Sequence, residues 1–386
     1  MKKGLQVLLG LTLLAALAEG LVLIRIRIDP WRSAALLESV ALLLGAFVGL
    51  TQTAFVKQLR QWAFASPWLA VGLPIFLLIP YLIFGLGTGT FSVLALGKLA
   101  AYILIPTTLL MPNRLHLSEK WLIVGLPILL LVSYLVLELG TGNSSLLVIV
   151  KILAYILVPT ALLLPDRLHH RENLGWRDVA AMLALAVPVS AGWLQGIWNW
   201  PQDLHVFRPI FCVLVGGYAF MVLRNLEGVG FRLLWRKGDV WDALLNLLAF
   251  TLLAIPLGIT LNFIHPHSTA SLSNIRGLGP AATFFFTFVG IYLTVAIPEE
   301  MLFRGILQNL LVRTISKGPR GLYGLLIASV VFGASHLHHP PVPNWRYAIL
   351  ATLAGIFYGN VYRTRQRLCA SALTHALVDT IWHYWF

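Results

Sequence analysis

The stretch "AIPEEMLFRGILQ", residues 296–308, stands at the end of an apolar run that begins near residue 281. It places Glu299, Glu300 and Arg304 within six positions. A charge in hydrocarbon costs at least about 2.5–3.5 kcal/mol on insertion scales, so this group needs partners or a purpose. The surroundings of the stretch decide the fold class. The chain has 386 residues, 58% of them hydrophobic and 11% charged, with a mean hydropathy of +0.82. A soluble domain carries about 25% charged residues. The chain is therefore read as an all-α, polytopic transmembrane helical bundle. Helices are expected because each satisfies its own backbone in lipid, and a span needs about 20 mainly apolar residues.

Apolar runs lie near 4–24, 35–56, 69–86, 92–111, 122–139, 145–164, 178–197, 208–223, 240–262, 281–297, 321–337, 346–362 and 368–385. They give about 11–13 spans. The net charge is +13, and Lys and Arg concentrate in short connections. The positive-inside rule accounts for that pattern, so nucleic acid is not an expected partner. The bilayer is the expected environment, as a multi-pass protein of the cell membrane. Cys212 and Cys369 have no spaced partner, which argues against a disulfide framework or a Cys-based zinc site. The opening "MKKGLQVLLGLTLLAALAEG", residues 1–20, has features of a signal peptide. Its apolar run resumes to Ile24 and many spans follow, so an uncleaved first span is expected.

One internal repeat is plain. "WLAVGLPIFLLIPYLIFGLGTGT" starts at Trp68, and "WLIVGLPILLLVSYLVLELGTGN" starts at Trp121. The match runs on through "KLAAYILIPTTLLMPNRLH" and "KILAYILVPTALLLPDRLH". About 30 of 49 aligned positions are identical, at an offset of about 53 residues. A tandem duplication of a two-helix hairpin follows. Each copy has an even number of spans, so both run the same way, unlike the inverted repeats of many transporters. Lys98 and Lys151, one per copy, read as snorkelling lysines near helix ends. The domain reading is then residues 1–67 as N-terminal membrane helices and 68–169 as the duplicated hairpins (68–116 and 121–169). Residues 170–239 are linking helices with a basic loop, and 240–386 are a C-terminal module. Basic clusters at 224–239, 313–320 and 362–367 are expected inside, with 265–280, 338–345 and the C-terminus outside.

Three polar clusters fall in the last ninety residues or so: Glu299, Glu300 and Arg304; Phe332 and His336 in "FGASHLHH"; His375 and Asp379 in "THALVDTIWH". Each holds a pair spaced i, i+4, which shares one helix face. Glu ahead of Arg is also the favourable order for such an ion pair. A Glu300–Arg304 bridge leaves Glu299 over. The excess carboxylate suits a general base. Each histidine alone reads as a hydrogen-bonded core residue. Three clusters on neighbouring helices point instead to polar groups that face inward and pair. Two chemistries fit. Carboxylate and imidazole together can deprotonate a water. Alternatively Glu299, His336 and His375 hold a divalent metal such as zinc. Ser335, beside His336, is expected on another helix face, which argues against a Ser–His nucleophile. Pro298 is expected to kink or restart its helix, and the loop assignment sets His336 late in one helix and His375 early in another.

"EEMLFRG", "FGASH" and "HALVD" resemble the three motifs of the CAAX-protease and bacteriocin-processing family of intramembrane proteases, which includes the type II CAAX prenyl endopeptidases. Those motifs are Glu-Glu-x-x-x-Arg, Phe-x-x-x-His and His-x-x-x-Asn/Asp. Gly355 and Gly359, in "AGIFYGNVYRTR", resemble the Gly-x-x-x-Gly helix before the third motif, a spacing that lets helices approach closely. The resemblance covers roughly residues 280–386. It implies a glutamate-dependent endopeptidase in the bilayer, acting on a peptide or membrane protein. By this resemblance Glu299 is the general base and His336 positions water. His375 and Asp379 form the oxyanion-stabilising pair, while Glu300 and Arg304 orient the site. Asp379 stands where the prenyl-protein endopeptidases have Asn. An ionised Asp accepts hydrogen bonds but donates none. No cofactor is expected, with zinc as the alternative. The competing class is a non-enzymatic scaffold, immunity factor or ion-coupled transporter using the same polar cluster. A transporter would show a second copy of the Glu–His–His set, and the chain has none.

Overall fold

The computed structural model describes residues 30–88, 144–167, 171–197, 206–266, 279–315 and 321–386. Among them are eleven helices and no strand. They are α1 (Pro30–Leu50), α2 (Thr53–Ala65), α3 (Pro67–Gly87), α4 (Ser144–Leu163), α5 (Trp176–Ser190), α6 (Phe207–Leu223), α7 (Lys237–Thr260), α8 (Pro280–Ile315), α9 (Gly321–Ala334), α10 (Trp345–Arg365) and α11 (Leu368–Trp385). Five are long and apolar enough to cross a membrane: α1, α3, α4, α7 and α8. The chain is an all-α, multi-pass membrane protein.

The expected spans near 4–24, 92–111 and 122–139, Lys98, most of the duplicated hairpins, and most of the connections expected at 265–280 and 313–320 lie outside the described residues. Four expected runs differ from what is described. The run at 178–197 is helical only to Ser190, and the run at 321–337 only to Ala334. The run at 35–56 does not make one span. α1 ends at Leu50, the chain turns at Thr51–Gln52, and a less apolar α2 starts at Thr53. The run at 281–297 is the first half of a 36-residue helix that continues through Pro298 without a break. It absorbs the proline by widening. Its backbone is π-helical at Tyr292–Ala296 and again at Met301–Gln308. Wide turns of this kind are rare and often sit at functional sites.

The chain packs as two units. Of the described residues, the first comprises 30–45, 72–88, 144–158 and 186–197, and the second 46–71, 159–167, 171–185, 206–266, 279–315 and 321–386. Within the first, Gly87 of α3 lies directly against Ala35 of α1. The second contains α7 to α11 whole. α7 carries exposed Leu244, Leu245, Leu248, Leu252 and Leu253, a face suited to lipid. Its other face packs Phe250 and Ala254 into a core with Phe303 of α8, Phe332 of α9, and Ala351 and Tyr358 of α10.

Small residues set how closely α8, α9 and α10 approach. A Cβ on Gly333 of α9 would overlap the Thr352 hydroxyl and the Ala348 carbonyl oxygen of α10. A Cβ on Gly355 would lie 3.1 Å from Ser329 Cα, and one on Gly359 would lie 2.6 Å from Gln308 Oε1. The bare backbone of α10 is therefore open to polar side chains of α8. Gln308 Nε2 donates to Gly359 O at 3.0 Å, and Arg304 Nη2 donates to Gly355 O at 3.2 Å.

Ion pairs tie down the connections. Arg224, fully buried at the end of α6, donates from Nε to Asp178 Oδ1 of α5 at 2.8 Å. Arg367 Nε donates to Asp239 Oδ2 at 2.8 Å, which links the start of α11 to the first turn of α7. Asp239 Oδ2 also accepts from the Arg236 backbone N–H at 2.8 Å.

Close packing predicts a sharp contrast between two glycines. Gly333→Ala meets backbone and is expected to cost about 1–3 kcal/mol, the range for overpacking. Gly290→Ala on α8 has open space and is expected to be neutral or to stabilise by up to about 1 kcal/mol. Unfolding in detergent checks both.

Candidate active site

Four helices supply the site. α8 carries Glu299, Glu300 and Arg304 at the junction of its α-helical and π-helical turns. α9 supplies Phe332, and the turn beyond Ala334 supplies His336. α10 supplies Gly355 and Tyr358. α11 aligns Ser371, His375 and Asp379 at i, i+4 and i+8 on one face.

Glu300 is the hub. Its side chain is fully buried, and Arg304 is 1% exposed. Glu300 Oε1 lies 3.1 Å from Arg304 Nη1 and accepts from His375 Nδ1 at 2.9 Å. Its other oxygen, Oε2, accepts from the Ser371 hydroxyl. The contact with Nη1 is an ion contact and not an aligned hydrogen bond, since Nη1 has no hydrogen-bond partner. The guanidinium is held by other means. Its Cζ lies 4.3 Å above the Phe332 ring, a cation–π contact, and Nη2 donates to Gly355 O. A buried charge of this kind is tolerable only when paired and hydrogen-bonded.

His375 has carboxylates beside both ring nitrogens. Nδ1 faces Glu300, while Nε2 lies 3.4 Å from Asp379 Oδ2 and 3.9 Å from Glu299 Oε2. Its ring is stacked on Tyr358, with centroids 4.5 Å apart and planes 17° from parallel. His336 is oriented differently. Its Nδ1 lies 2.8 Å from the carbonyl oxygen of Phe332, one turn back. A carbonyl only accepts, so Nδ1 carries the proton and Nε2 is left as the basic nitrogen. Phe332 thus serves twice, with its backbone fixing a tautomer and its ring bearing the Arg304 charge.

One cavity of about 260 Å³ joins these groups. Glu299, His336, His375, Asp379, Tyr347 and Tyr358 line it, together with apolar residues of α7 and α11. Glu299 and Asp379 are 35% and 28% exposed, unlike the sealed Glu300. The structure therefore gathers all six residues singled out in the sequence. His336 and His375, expected at different depths, both pack on the ring of Phe332, with centroids 4.8 and 5.8 Å away, and Pro298 does not break α8. Ser335 departs from expectation. Its hydroxyl lies 3.3 Å from His336 Nδ1 and donates to Phe332 O at 2.7 Å. Helical facing does not apply to a residue past the helix end. Both groups address the Phe332 carbonyl, so they do not form a nucleophile and base.

Among the described residues, no three His, Cys, Asp or Glu side chains converge as metal ligands would. Ser371, Tyr347 and Tyr358 were not singled out in the sequence. Ser371 had a signal, its i−4 spacing from His375. The tyrosines sit in apolar helical patterns and had none.

The buried pair and the open carboxylate should respond differently to substitution. Arg304→Met leaves Glu300 buried without its cation and is expected to cost about 3–5 kcal/mol of stability. Glu299→Gln is expected to stay within about 0.5–1 kcal/mol of wild type. Chemical unfolding of the purified protein in one detergent compares them.

No curated protein and no solved structure matches the chain. Residues 280–381, about a quarter of the chain, match the family model described as type II CAAX prenyl endopeptidase Rce1-like. All six residues and all three motifs fall inside that segment, and over it the chain is similar to the CAAX-type membrane proteases.

Proposed function

We propose that the protein is an intramembrane endopeptidase of the cell membrane that hydrolyses a peptide bond with a water activated by Glu299 and His336. The observation that carries this is the shared cavity. Glu299, His336 and His375 face one space, and the Glu300–Arg304 pair is sealed behind it. The substrate is a peptide segment or membrane protein presented at the bilayer.

In this reading the water sits between the Glu299 carboxylate and His336 Nε2. Glu299 takes its proton as the water oxygen bonds to the scissile carbonyl carbon. Charge develops on the carbonyl oxygen, and His375 donates to it from a protonated Nε2. Asp379, 3.4 Å from that nitrogen, favours the protonated ring by its charge and does not have to donate. Glu300 holds Nδ1 of the same ring, and Arg304 holds Glu300. Collapse of the intermediate breaks the C–N bond, and the proton held by Glu299 passes to the leaving amine. No metal has a part in these steps.

The test is cleavage of a membrane-peptide library by purified protein in nanodiscs. Glu299→Gln is expected to lower kcat by about 10²–10⁴-fold, the usual worth of a general base, and His336→Ala by a similar factor. A chelator is expected to leave the wild type unchanged. Loss of activity on chelation, restored by zinc, would contradict the metal-free step. Wild-type cleavage by Glu299→Gln would remove the enzyme reading of this residue.

A further inference from the structure

The cavity holds a polar group that the chemistry above leaves unused, the hydroxyl of Tyr347. Tyr347 lies in the first turn of α10, where its backbone N–H donates to the capping Asn344 Oδ1 at 3.0 Å. Its ring is packed on several sides. The ring centroids of His336, Trp382, His339 and Phe263 lie at 4.6, 5.2, 5.3 and 5.3 Å. A ring held this way cannot swing its hydroxyl clear of the cavity.

Among the described residues that hydroxyl makes no hydrogen bond, and it is not a sealed orphan either. Tyr347 lines the cavity, and Glu299 and Asp379 are its electrostatic neighbours. A tyrosine O–H in an apolar setting ordinarily finds a partner. Here no described residue takes that place, which leaves the hydroxyl open to a group that enters the cavity.

The proposed reaction also needs such a donor. Asp379, when ionised, accepts only, so His375 Nε2 is the one donor assigned so far. Tyr358 is the other tyrosine of the cavity. It has Asp379 as well as the buried Glu300 and Arg304 among its electrostatic neighbours, but it is fully buried and stacked flat against His375, which makes it part of the backing of the site. The charged neighbours of Tyr347 are the two open carboxylates, Asp379 and Glu299.

We propose that Tyr347 is a further catalytic residue, whose hydroxyl donates a hydrogen bond to the scissile carbonyl oxygen as that oxygen becomes an oxyanion. The proposal rests on the peptidase reading of the site. No proton is transferred: the O–H stays on the phenol, and the negative charge is dispersed until the C–N bond breaks.

Tyr347→Phe removes the hydroxyl and keeps the ring that packs against His336 and Trp382. The probe is a fluorogenic peptide built from a library sequence that the wild type cleaves. The expected result is a fall in kcat of about 100-fold, the scale of one oxyanion donor. KM is expected to stay within about twofold and the unfolding temperature to be unchanged. A kcat equal to wild type overturns the proposal, as does a loss confined to KM. Glu299→Gln, assayed beside it, separates the two readings. If Glu299→Gln is inactive and Tyr347→Phe is unimpaired, only the role of the tyrosine falls. If Glu299→Gln cleaves like wild type, the peptidase reading falls with it.

Discussion

The buried pair of Glu300 and Arg304 is the interaction on which the site depends. It joins four helices at one point. Glu300 binds His375 and Ser371 of α11. Arg304 reaches the bare carbonyl of Gly355 on α10 and lies over Phe332 of α9. Both charges come from one face of α8. An ion pair this deep loses much of its Coulombic gain to desolvation, so stability alone is a poor account of it. Its geometric effect is clearer, since it fixes the depth and rotation of four helices relative to one another.

The pair also divides the carboxylates by task. Glu300 is sealed and saturated with partners, so it positions. Glu299, the adjacent residue, is about a third exposed and opens on the cavity. Adjacent residues on a helix point about 100° apart, and the wide turns on either side of residues 297–300 add freedom to aim them. The two histidines are fixed by different means. His375 is held by a carboxylate on another helix, and His336 by a carbonyl of its own chain four residues back. One ring therefore presents a nitrogen ringed by acids, and the other presents a basic nitrogen.

Much of this was legible in the sequence, and for a physical reason. Residues four apart share a helix face whatever the tertiary structure, so Glu300–Arg304 and His375–Asp379 could be paired on sight. The Gly355 and Gly359 spacing likewise announced close helix approach. The contact of His375 with Glu300 could not be read, because no periodicity relates residues on different helices. The unbroken course of α8 through Pro298 was hidden too, since propensity argues for a kink and a π-helical turn has no simple sequence mark. Ser335 was misplaced for the same kind of reason: the helix ends at Ala334, three residues earlier than its apolar pattern implied.

The central claim is that Glu299 and His336 act on one water, and a double-mutant cycle on cleavage tests it most directly. The values needed are kcat/KM for wild type, Glu299→Gln, His336→Ala and the double variant. If both side chains serve the same water, removing the second after the first costs little, and the double variant cleaves about as slowly as the slower single one. If the two losses multiply, the residues act independently and the shared-water account is contradicted.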